Sequence, residues 1–386
     1  MRQPLLYKYN PSQCSPEELE ATFVVREQIL GSILDDLRAR SKAPTNQHFL
    51  ITGPRGIGKT NLLLMVRYRV AADQALSRAY IPVQTAEEEY SIATLRDFFA
   101  KALDLLGEAV TDDELTEAAK SVEASDKDHQ AAELAIAALK AFCKRSQRKT
   151  LLLVDNFDLI LGDQMADDAQ IGRLRDVLMN ESFLVLVAAA PTHFGEVTGY
   201  DRPFYNFFKP IDLAEFSSDQ MAELLRKRAV RDQNRTILDQ FGELQPRLRA
   251  VHHLTGGNPR LALMLYQLCT HTELPEVRDA LQSLLDDVTP YYKARLEELP
   301  PQQRKVMDTF ARLGRAATPT ELAAETRLPV NQINSILKRL RELGFVALPP
   351  QQRRKATYYI VSERVFRVWH QMRFSAASRR KLEFLI

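Results

Sequence analysis

Short apolar runs alternate with segments of helical spacing along the first 213 residues. Between the runs, apolar side chains recur every three or four positions, as in Ile92–Leu106 and Ala131–Arg145, and this predicts helices. The acidic stretch Thr111–His129 predicts a surface loop or an exposed helix. The runs themselves predict five strands: His48–Thr52, Ala79–Thr85, Thr150–Asp155, Phe183–Pro191 and Phe208–Leu213. Strands that alternate with helices favour a parallel sheet covered on both faces.

The pattern changes after Leu213, where strand signals stop for more than 100 residues. Four helices are predicted there, and they form a small helical domain: Ser217–Val230, Arg247–His253, Pro259–Thr270 and Pro275–Asp287. Three more are predicted from Pro300 onward: Pro301–Gly314, Thr318–Thr326 and Leu328–Gly344. Two strands around a basic turn follow them. Three helices and a hairpin are the pattern of a winged helix-turn-helix, and the single tryptophan, Trp369, is predicted to lie in its core.

Composition fits a globular protein of two or three domains, with 386 residues, 45% hydrophobic and 26% charged. Three cysteines are too few for a disulfide framework or a zinc cluster, which favours a reducing, cytoplasmic setting. No apolar run is long enough for a signal peptide or a membrane span, so we expect no membrane partner.

The net charge of +2 hides an asymmetry between the two ends of the chain. Residues 291–386 hold 19 Lys+Arg and 8 Asp+Glu, so the rest of the chain is acidic. A basic C-terminal part on an acidic body is compatible with nucleic-acid binding. It is equally compatible with docking of the basic part on the acidic body.

The motif GPRGIGKT lies between the first predicted strand and a predicted helix, which is the context that a phosphate-binding P-loop requires. Backbone N–H groups of such a loop surround phosphate oxygens, and the helix N-terminus adds positive charge. Lys59 would reach the β and γ phosphates, and the Thr60 hydroxyl would bind Mg²⁺. The predicted contacts to ATP or ADP are therefore Gly53, Pro54, Arg55, Gly56, Ile57, Gly58, Lys59, Thr60 and Asn61.

The stretch LLLVDNFD supplies a candidate second Mg²⁺ ligand, Asp155, at the end of a buried strand. The spacing between the two motifs leaves room for another strand and helix, as in P-loop ATPases that insert a strand there. Asn156 follows, where many ATPases carry a glutamate that activates water. An asparagine can orient water but cannot accept its proton. Either Asp158 or a neighbouring subunit assists slow hydrolysis, or the protein stays loaded as a binding switch; we favour slow hydrolysis.

With these motifs, the chain resembles the P-loop ATPases of the AAA+ and STAND groups, among them archaeal-type, origin-initiator and transposition-helper ATPases. The resemblance covers about Phe23 to Leu265. FVVRE, at Phe23–Glu27, looks like the family's entry segment F-V-G-R-E, with Val25 in place of the usual glycine. Val25 and Arg26 are therefore implied adenine contacts. TGGNPR, at Thr255–Arg260, looks like the motif of the helical lid.

The same resemblance implies further catalytic residues. Thr192 follows the fourth strand, where the first sensor of the family lies. Arg202 stands where initiator-type relatives carry a finger arginine. Arg260, preceded by Pro259, would be the second sensor and reach the phosphates from the lid. The alternative for Arg260 is a helix-start arginine that faces solvent, and for Thr192 and Arg202 the absence of a catalytic role is an equally open alternative.

The second helix of the winged unit begins near Pro329 and could place its first residues in the major groove of duplex DNA. Asn and Gln suit base edges, while Lys and Arg suit phosphates. The candidate DNA contacts are Asn331, Gln332, Ser335, Lys338 and Arg339 on the helix and Arg353, Arg354 and Lys355 at the hairpin tip. In STAND proteins, the equivalent unit instead folds back and locks the nucleotide. DNA contact and internal locking both stay open as interpretations of the winged unit.

Together these features predict an α/β P-loop fold of the AAA+ type with a helical lid and a C-terminal winged helix-turn-helix. The predicted parts are residues 1–46 (adenine-contacting segment), 47–213 (ATPase core), 214–298 (lid) and 299–386 (winged unit). The predicted function is a slowly hydrolysing, Mg²⁺-dependent ATP switch that forms homo-oligomers, in regulation, signalling or defence. The alternative is a DNA-binding ATPase of replication initiation or transposition. Because the last residues carry no helix-ending signal, we expect the native protein to continue beyond Ile386.

Overall fold

The computed structural model describes residues 15–87, 89–165, 167–191, 194–271, 286, 289–290, 292–349, 356–362 and 364–374. These residues form two compact units, one reaching Leu213 and the other beginning at Ala214. The loop segment Pro54–Ile57 packs with the second unit, although its neighbours along the chain belong to the first. The finer predicted boundaries at residues 46 and 298 stay predictions. Of the described residues, no helix is long and apolar enough to cross a membrane.

The first unit contains a five-stranded parallel sheet, as predicted. Its strands are β1 (Phe49–Thr52), β2 (Tyr80–Gln84), β3 (Lys149–Val154), β4 (Leu184–Ala190) and β5 (Lys209–Asp212). Its helices are α1 (Pro16–Thr22), α2 (Glu27–Ala39), α3 (Lys59–Ala72), α4 (Gln74–Ala79), α5 (Leu95–Ala109), α6 (Asp113–Glu123), α7 (Asp128–Ser146), α8 (Phe157–Leu159), α9 (Asp168–Asn180) and α10 (Gly195–Thr198). A π-helical turn, Ile160–Gln164, follows α8. The central strands β1, β3 and β4 are almost entirely buried, as parallel strands covered on both faces must be.

The strand order is β2-β3-β4-β1-β5, which corrects one expectation. Strand β4, which follows Asp155 in the sequence, lies between β1 and β3 in the sheet. Its Ala188 pairs with Leu50 of β1, and its Leu186 pairs with Leu152 of β3. The strand encoded between the two motifs, β2, lies at the edge of the sheet beside β3. The strand encoded between the two motifs is therefore an edge strand, and the strand inserted between β1 and β3 is encoded after both motifs.

Aspartate caps start two helices, α4 and α6, whose bounds the sequence pattern did not give. The helix predicted after the GPRGIGKT motif is followed by a second one, because the Asp73 side chain accepts hydrogen bonds from the N–H groups of Ala75 and Leu76 and starts α4. The acidic stretch from Thr111 contains a helix, α6, capped by Asp112.

The second unit is helical, with a small hairpin, as predicted. Its helices are α11 (Ser218–Arg231), α12 (Arg235–Asp239), α13 (Gln245–Thr255), α14 (Pro259–His271), α15 (Pro301–Leu313), α16 (Pro319–Thr326), α17 (Val330–Glu342) and α18 (Arg364–Phe374). The antiparallel strands β6 (Val346–Ala347) and β7 (Ile360–Val361) form the hairpin after α17. This is the expected winged helix-turn-helix. Trp369 is buried, as predicted, and its indole N–H donates to Thr289. The predicted helix Pro275–Asp287 falls almost entirely outside the described residues.

A buried histidine joins neighbouring elements of the sheet layer in the first unit. The His48 Nδ1 accepts from the Leu186 N–H at 3.0 Å, and the Nε2 donates to the Leu178 carbonyl at 2.9 Å. The ring stacks on Phe207 with the centroids 5.1 Å apart. Burial lowers the pKa of His48 to about 4, although the bond to Leu178 opposes this shift. The hydrogen bonds and the burial both require the neutral ring.

The free energy of unfolding should therefore decrease as the pH is lowered, because His48 is harder to protonate in the folded chain. The unfolded chain takes up a proton on His48 below about pH 6.5, whereas the folded chain does so only near pH 4. Unfolding is favoured progressively between these values, and we expect a loss of about 3 kcal/mol across that window. Urea unfolding at stepped pH measures it. His48→Gln should have a flatter pH profile over this window, and an unchanged profile in that variant would contradict the assignment.

Candidate functional site

The glycine-rich loop leaves β1 and enters α3, as its sequence context predicts. Gly53, Gly56 and Gly58 have φ values of 151°, 78° and 102°. The values at Gly56 and Gly58 lie in the region that residues with a side chain rarely adopt. Gly58 immediately precedes the first residue of α3, so the loop ends at a helix N-terminus, where backbone N–H groups have no partner within the helix.

Lys59 is the first residue of α3 and is 7% exposed. Its ammonium group donates to the Gly53 carbonyl at 2.8 Å. The side chain therefore lies back along the loop that precedes it. A cation held there in little water can attract an anion strongly.

Thr60 and Asp155 meet at the carboxyl end of strand β3. The Thr60 hydroxyl donates to the Asp155 Oδ2 at 2.5 Å, across 95 residues of sequence. Asp155 is buried, and its Oδ1 accepts from the Asn156 N–H at 2.9 Å. Mg²⁺ typically binds one or two protein oxygens and completes its shell with water and phosphate. This hydroxyl and carboxylate pair fits such a role.

Asn156 starts α8 in a left-handed conformation, with φ 49° and ψ 41°. Asparagine is among the few residues that tolerate this conformation. Its side-chain amide donates to the Glu87 carbonyl at 2.8 Å, so Asn156 joins the end of β3 to the loop after β2. Asp158 lies in the short helix α8 and is half-buried. Its role as an assisting base stays a prediction.

The entry segment has an unusual backbone at the position that departs from the family pattern. Val25 has φ 70°, where the family motif has glycine. A β-branched residue in this region is strained by about 1–3 kcal/mol. The neighbouring Arg26 is buried, and burial lowers the pKa of its guanidinium group. The adenine-contacting roles of Val25 and Arg26 stay predictions.

In the second unit, the TGGNPR motif connects α13 to α14. Gly256 ends α13 in a left-handed conformation, and Gly257, with φ 80°, lies against the backbone of Phe216. The Phe216 N–H donates to the Gly257 carbonyl at 2.9 Å. Pro259 begins α14. Arg260 is exposed, while its N–H donates to the Gly56 carbonyl at 3.4 Å.

Gly257 should tolerate no side chain. A Cβ there would lie 2.3 Å from the Phe216 carbonyl oxygen, and the backbone conformation would itself be strained. We expect Gly257→Ala to destabilise the second unit by about 2–5 kcal/mol, measured by chemical denaturation. Gly242→Ala is the matched control in the same unit, because a Cβ at Gly242 meets nothing within 4 Å. Equal stability of the two variants would contradict this packing.

The remaining predicted catalytic residues are placed as follows. The Arg202 guanidinium donates to Asp168 at 2.8 Å and is partly exposed. Thr192 lies outside the described residues. The sensor and finger roles of Thr192, Arg202 and Arg260 stay predictions.

The candidate DNA-contacting helix, α17, presents a polar face. Asn331, Ser335, Lys338 and Arg339 are exposed. The Gln332 amide donates to Gln302 at 2.5 Å, so it is engaged by α15. The buried side of α17 is apolar: Ile333, Ile336, Leu337 and Leu340. Arg353, Arg354 and Lys355 lie outside the described residues.

Two site residues could not be found by sequence reasoning. Glu87 contributes a backbone carbonyl, which any residue could supply. Asn258 donates its side-chain amide to the Arg55 carbonyl at 2.8 Å, a contact across 203 residues. The sequence signal that could have indicated Asn258 was its position within the GGNPR motif.

Comparison with known proteins agrees with this geometry. Residues 22–187 match the model of the AAA ATPase domain family. An uncharacterized HTH-type transcriptional regulator of Methanocaldococcus jannaschii is 22% identical over 379 residues, covering 89% of this chain and 88% of that protein. A Walker-type ATPase of Pyrococcus abyssi has a TM-score of 0.62 at 14% identity and covers 90% of this chain and 96% of its own. The Aeropyrum pernix ORC1 protein in complex with DNA has a TM-score of 0.51 at 15% identity, with 95% and 96% covered.

The sheet topology and these similarities define an α/β P-loop fold of the AAA type. The match to the AAA ATPase domain family covers residues 22–187, a segment that contains the glycine-rich loop, Lys59 and Asp155. The two structural similarities extend the shared fold over both units. The AAA ATPase domain family that this segment matches is one that binds a nucleotide, usually with Mg²⁺.

Proposed function

We propose that this protein is a Mg²⁺-dependent ATP switch that hydrolyses its nucleotide slowly. The observation that carries the proposal is the arrangement at the end of β3. Asp155 is in hydrogen-bonding contact with Thr60, while the next residue, Asn156, is an amide held by the Glu87 carbonyl. The site thus has the groups for a cation and a phosphate. It has no carboxylate at the position where the family's water-activating glutamate is expected.

Each group has a stated role in this proposal. Lys59 would compensate phosphate charge, and Thr60 and Asp155 would hold Mg²⁺. Asn156 would orient water without accepting its proton, which keeps the barrier to hydrolysis high. Asp158 is the candidate assisting base. Bound Mg²⁺ would supply charge neutralisation of the developing transition state.

Nucleotide binding with and without Mg²⁺ tests the first half of this proposal. Titration with a fluorescent ATP analogue should give tighter binding in the presence of Mg²⁺. Asp155→Asn should abolish most of this dependence, because an amide is a poor ligand for a hard divalent cation. Asp113→Asn is a control, since this carboxylate is exposed in the first turn of α6 in the same unit. An unchanged Mg²⁺ dependence in Asp155→Asn would remove the assigned metal ligand.

We further propose that the nucleotide state is read out by the winged unit, in STAND-like regulation or signalling that involves homo-oligomers. DNA binding is the second candidate, favoured by the exposed polar face of α17 and by the relatives named as an HTH regulator and as ORC1 in complex with DNA.

A DNA-binding role predicts steep salt dependence of duplex binding, with a log-log slope of about −0.9 per phosphate contact. Lys338→Ala should flatten the slope, whereas Lys305→Ala on α15 should not. Equal slopes would favour the regulatory role without DNA.

A further inference from the structure

The tip of the P-loop is held from outside by the start of a helix. The tip, Pro54–Ile57, belongs to the second unit together with α14. The Asn258 amide donates to the Arg55 carbonyl at 2.8 Å, and the Arg260 N–H donates to the Gly56 carbonyl at 3.4 Å. Two successive carbonyl groups of the tip are therefore bound by two positions of one motif that lie two residues apart.

Asn258 serves α14 at the same time. Its Oδ1 accepts from the Leu261 N–H at 3.4 Å, at the first turn of the helix. One side chain thus uses its oxygen on the helix and its nitrogen on the loop. The contact is also close, because a Cβ at Gly56 would lie 2.9 Å from the Asn258 Oδ1.

The bond to Arg55 determines where a neighbouring N–H points. A trans peptide is planar, so its carbonyl and its N–H point in opposite directions. The Arg55 carbonyl shares its peptide plane with the Gly56 N–H. When Asn258 fixes that carbonyl, the Gly56 N–H is turned away from Asn258. Gly56, with φ 78°, lacks the steric restraint that a side chain would impose, so this orientation depends on an external contact.

We propose that Asn258 is a positioning residue for phosphate binding: its amide orients the Arg55–Gly56 peptide so that the Gly56 N–H is presented to a nucleotide phosphate. The inference rests on the proposed nucleotide binding and deepens it. It also gives the start of α14 a direct link to the loop, because the side chain that caps this helix is the one that holds the peptide.

The variant Asn258→Asp separates the two contacts. Aspartate keeps an oxygen for the helix start but has no N–H for Arg55. We expect about tenfold weaker binding of both ATP and ADP, as the loss of one hydrogen bond would give. The thermal transition of the nucleotide-free protein should remain close to that of wild type. Asn258→Ser is the neutral counterpart, since a hydroxyl can cap a helix but is too short to replace the amide, and it should show a similar loss.

Asn234→Asp is the matched control, because Asn234 caps α12 through its Oδ1 in the same unit. This variant should bind nucleotide as wild type does. Weaker binding in Asn258→Asp but not in Asn258→Ser would show a charge effect and overturn the positioning role. Wild-type affinity in both would overturn it as well. If wild type itself binds no better than Lys59→Ala, the proposed nucleotide binding fails, and that outcome is distinct from either of these.

Discussion

Lys59→Ala should weaken ATP binding by at least about 100-fold. The ammonium group is nearly buried at the start of α3 and is aligned along the loop by its bond to the Gly53 carbonyl. Charge-assisted bonds to phosphate in such a setting contribute about 3 kcal/mol or more, and each 1.4 kcal/mol is tenfold in affinity. ADP binding should fall less, because the γ phosphate is absent.

Isothermal titration with ATP and ADP measures this effect. Lys42→Ala provides the control, since Lys42 is an exposed lysine that precedes β1 and its removal changes the net charge equally. Equal affinities of Lys59→Ala and wild type would mean that the loop binds no triphosphate.

Asn156→Glu should raise the rate of ATP hydrolysis by about 10- to 100-fold. The substitution provides a carboxylate that can accept a proton from water, and general bases contribute about 10²–10⁴ in rate. The expected gain lies at or below the lower end of that range, because glutamate gives up the bond from the Asn156 amide to the Glu87 carbonyl. It must also adopt the left-handed conformation that asparagine tolerates.

Asn156→Gln is the matched control for that variant. It has the length of glutamate and no basic carboxylate, so its turnover should not rise above wild type. A steady-state phosphate-release assay under saturating Mg²⁺ and ATP distinguishes the two. If glutamate gives no gain over glutamine, the base is supplied elsewhere, and Asp158→Asn should then remove the residual turnover.

Local patterns predicted the parts of the fold that depend on local physics. Buried strands read as continuous apolar runs, and the caps at Ser217 and Thr318 start helices close to the predicted positions. The order of strands was less accessible, because it depends on which strands pair and not on the composition of any one strand. Only the pairing of β4 with both β1 and β3 decides which strand lies in the centre.

The candidate site divides in the same way. Lys59, Thr60 and Asp155 could be selected as candidates from the sequence, because phosphate and Mg²⁺ binding require those side chains at fixed places along a motif, and their roles stay predictions. The contacts of Asn156 with Glu87 and of Asn258 with Arg55 involve backbone carbonyls far away in sequence. Every residue has such a carbonyl, so no residue type marks it. The strained backbone of Val25 was likewise visible only as a departure from the family's glycine.

The most direct test of the slow switch is ATP turnover by the purified protein with Mg²⁺, across protein concentration and with or without duplex DNA, with Lys59→Ala as the blank. We expect turnover above the blank but slow, on the order of 10⁻⁴ to 10⁻² per second, as in P-loop switches without an activating partner. An increase with concentration or DNA would show that an assembly assists Asn156. Turnover of 1–100 per second by the isolated chain, the range of efficient phosphoryl-transfer enzymes, would contradict the account.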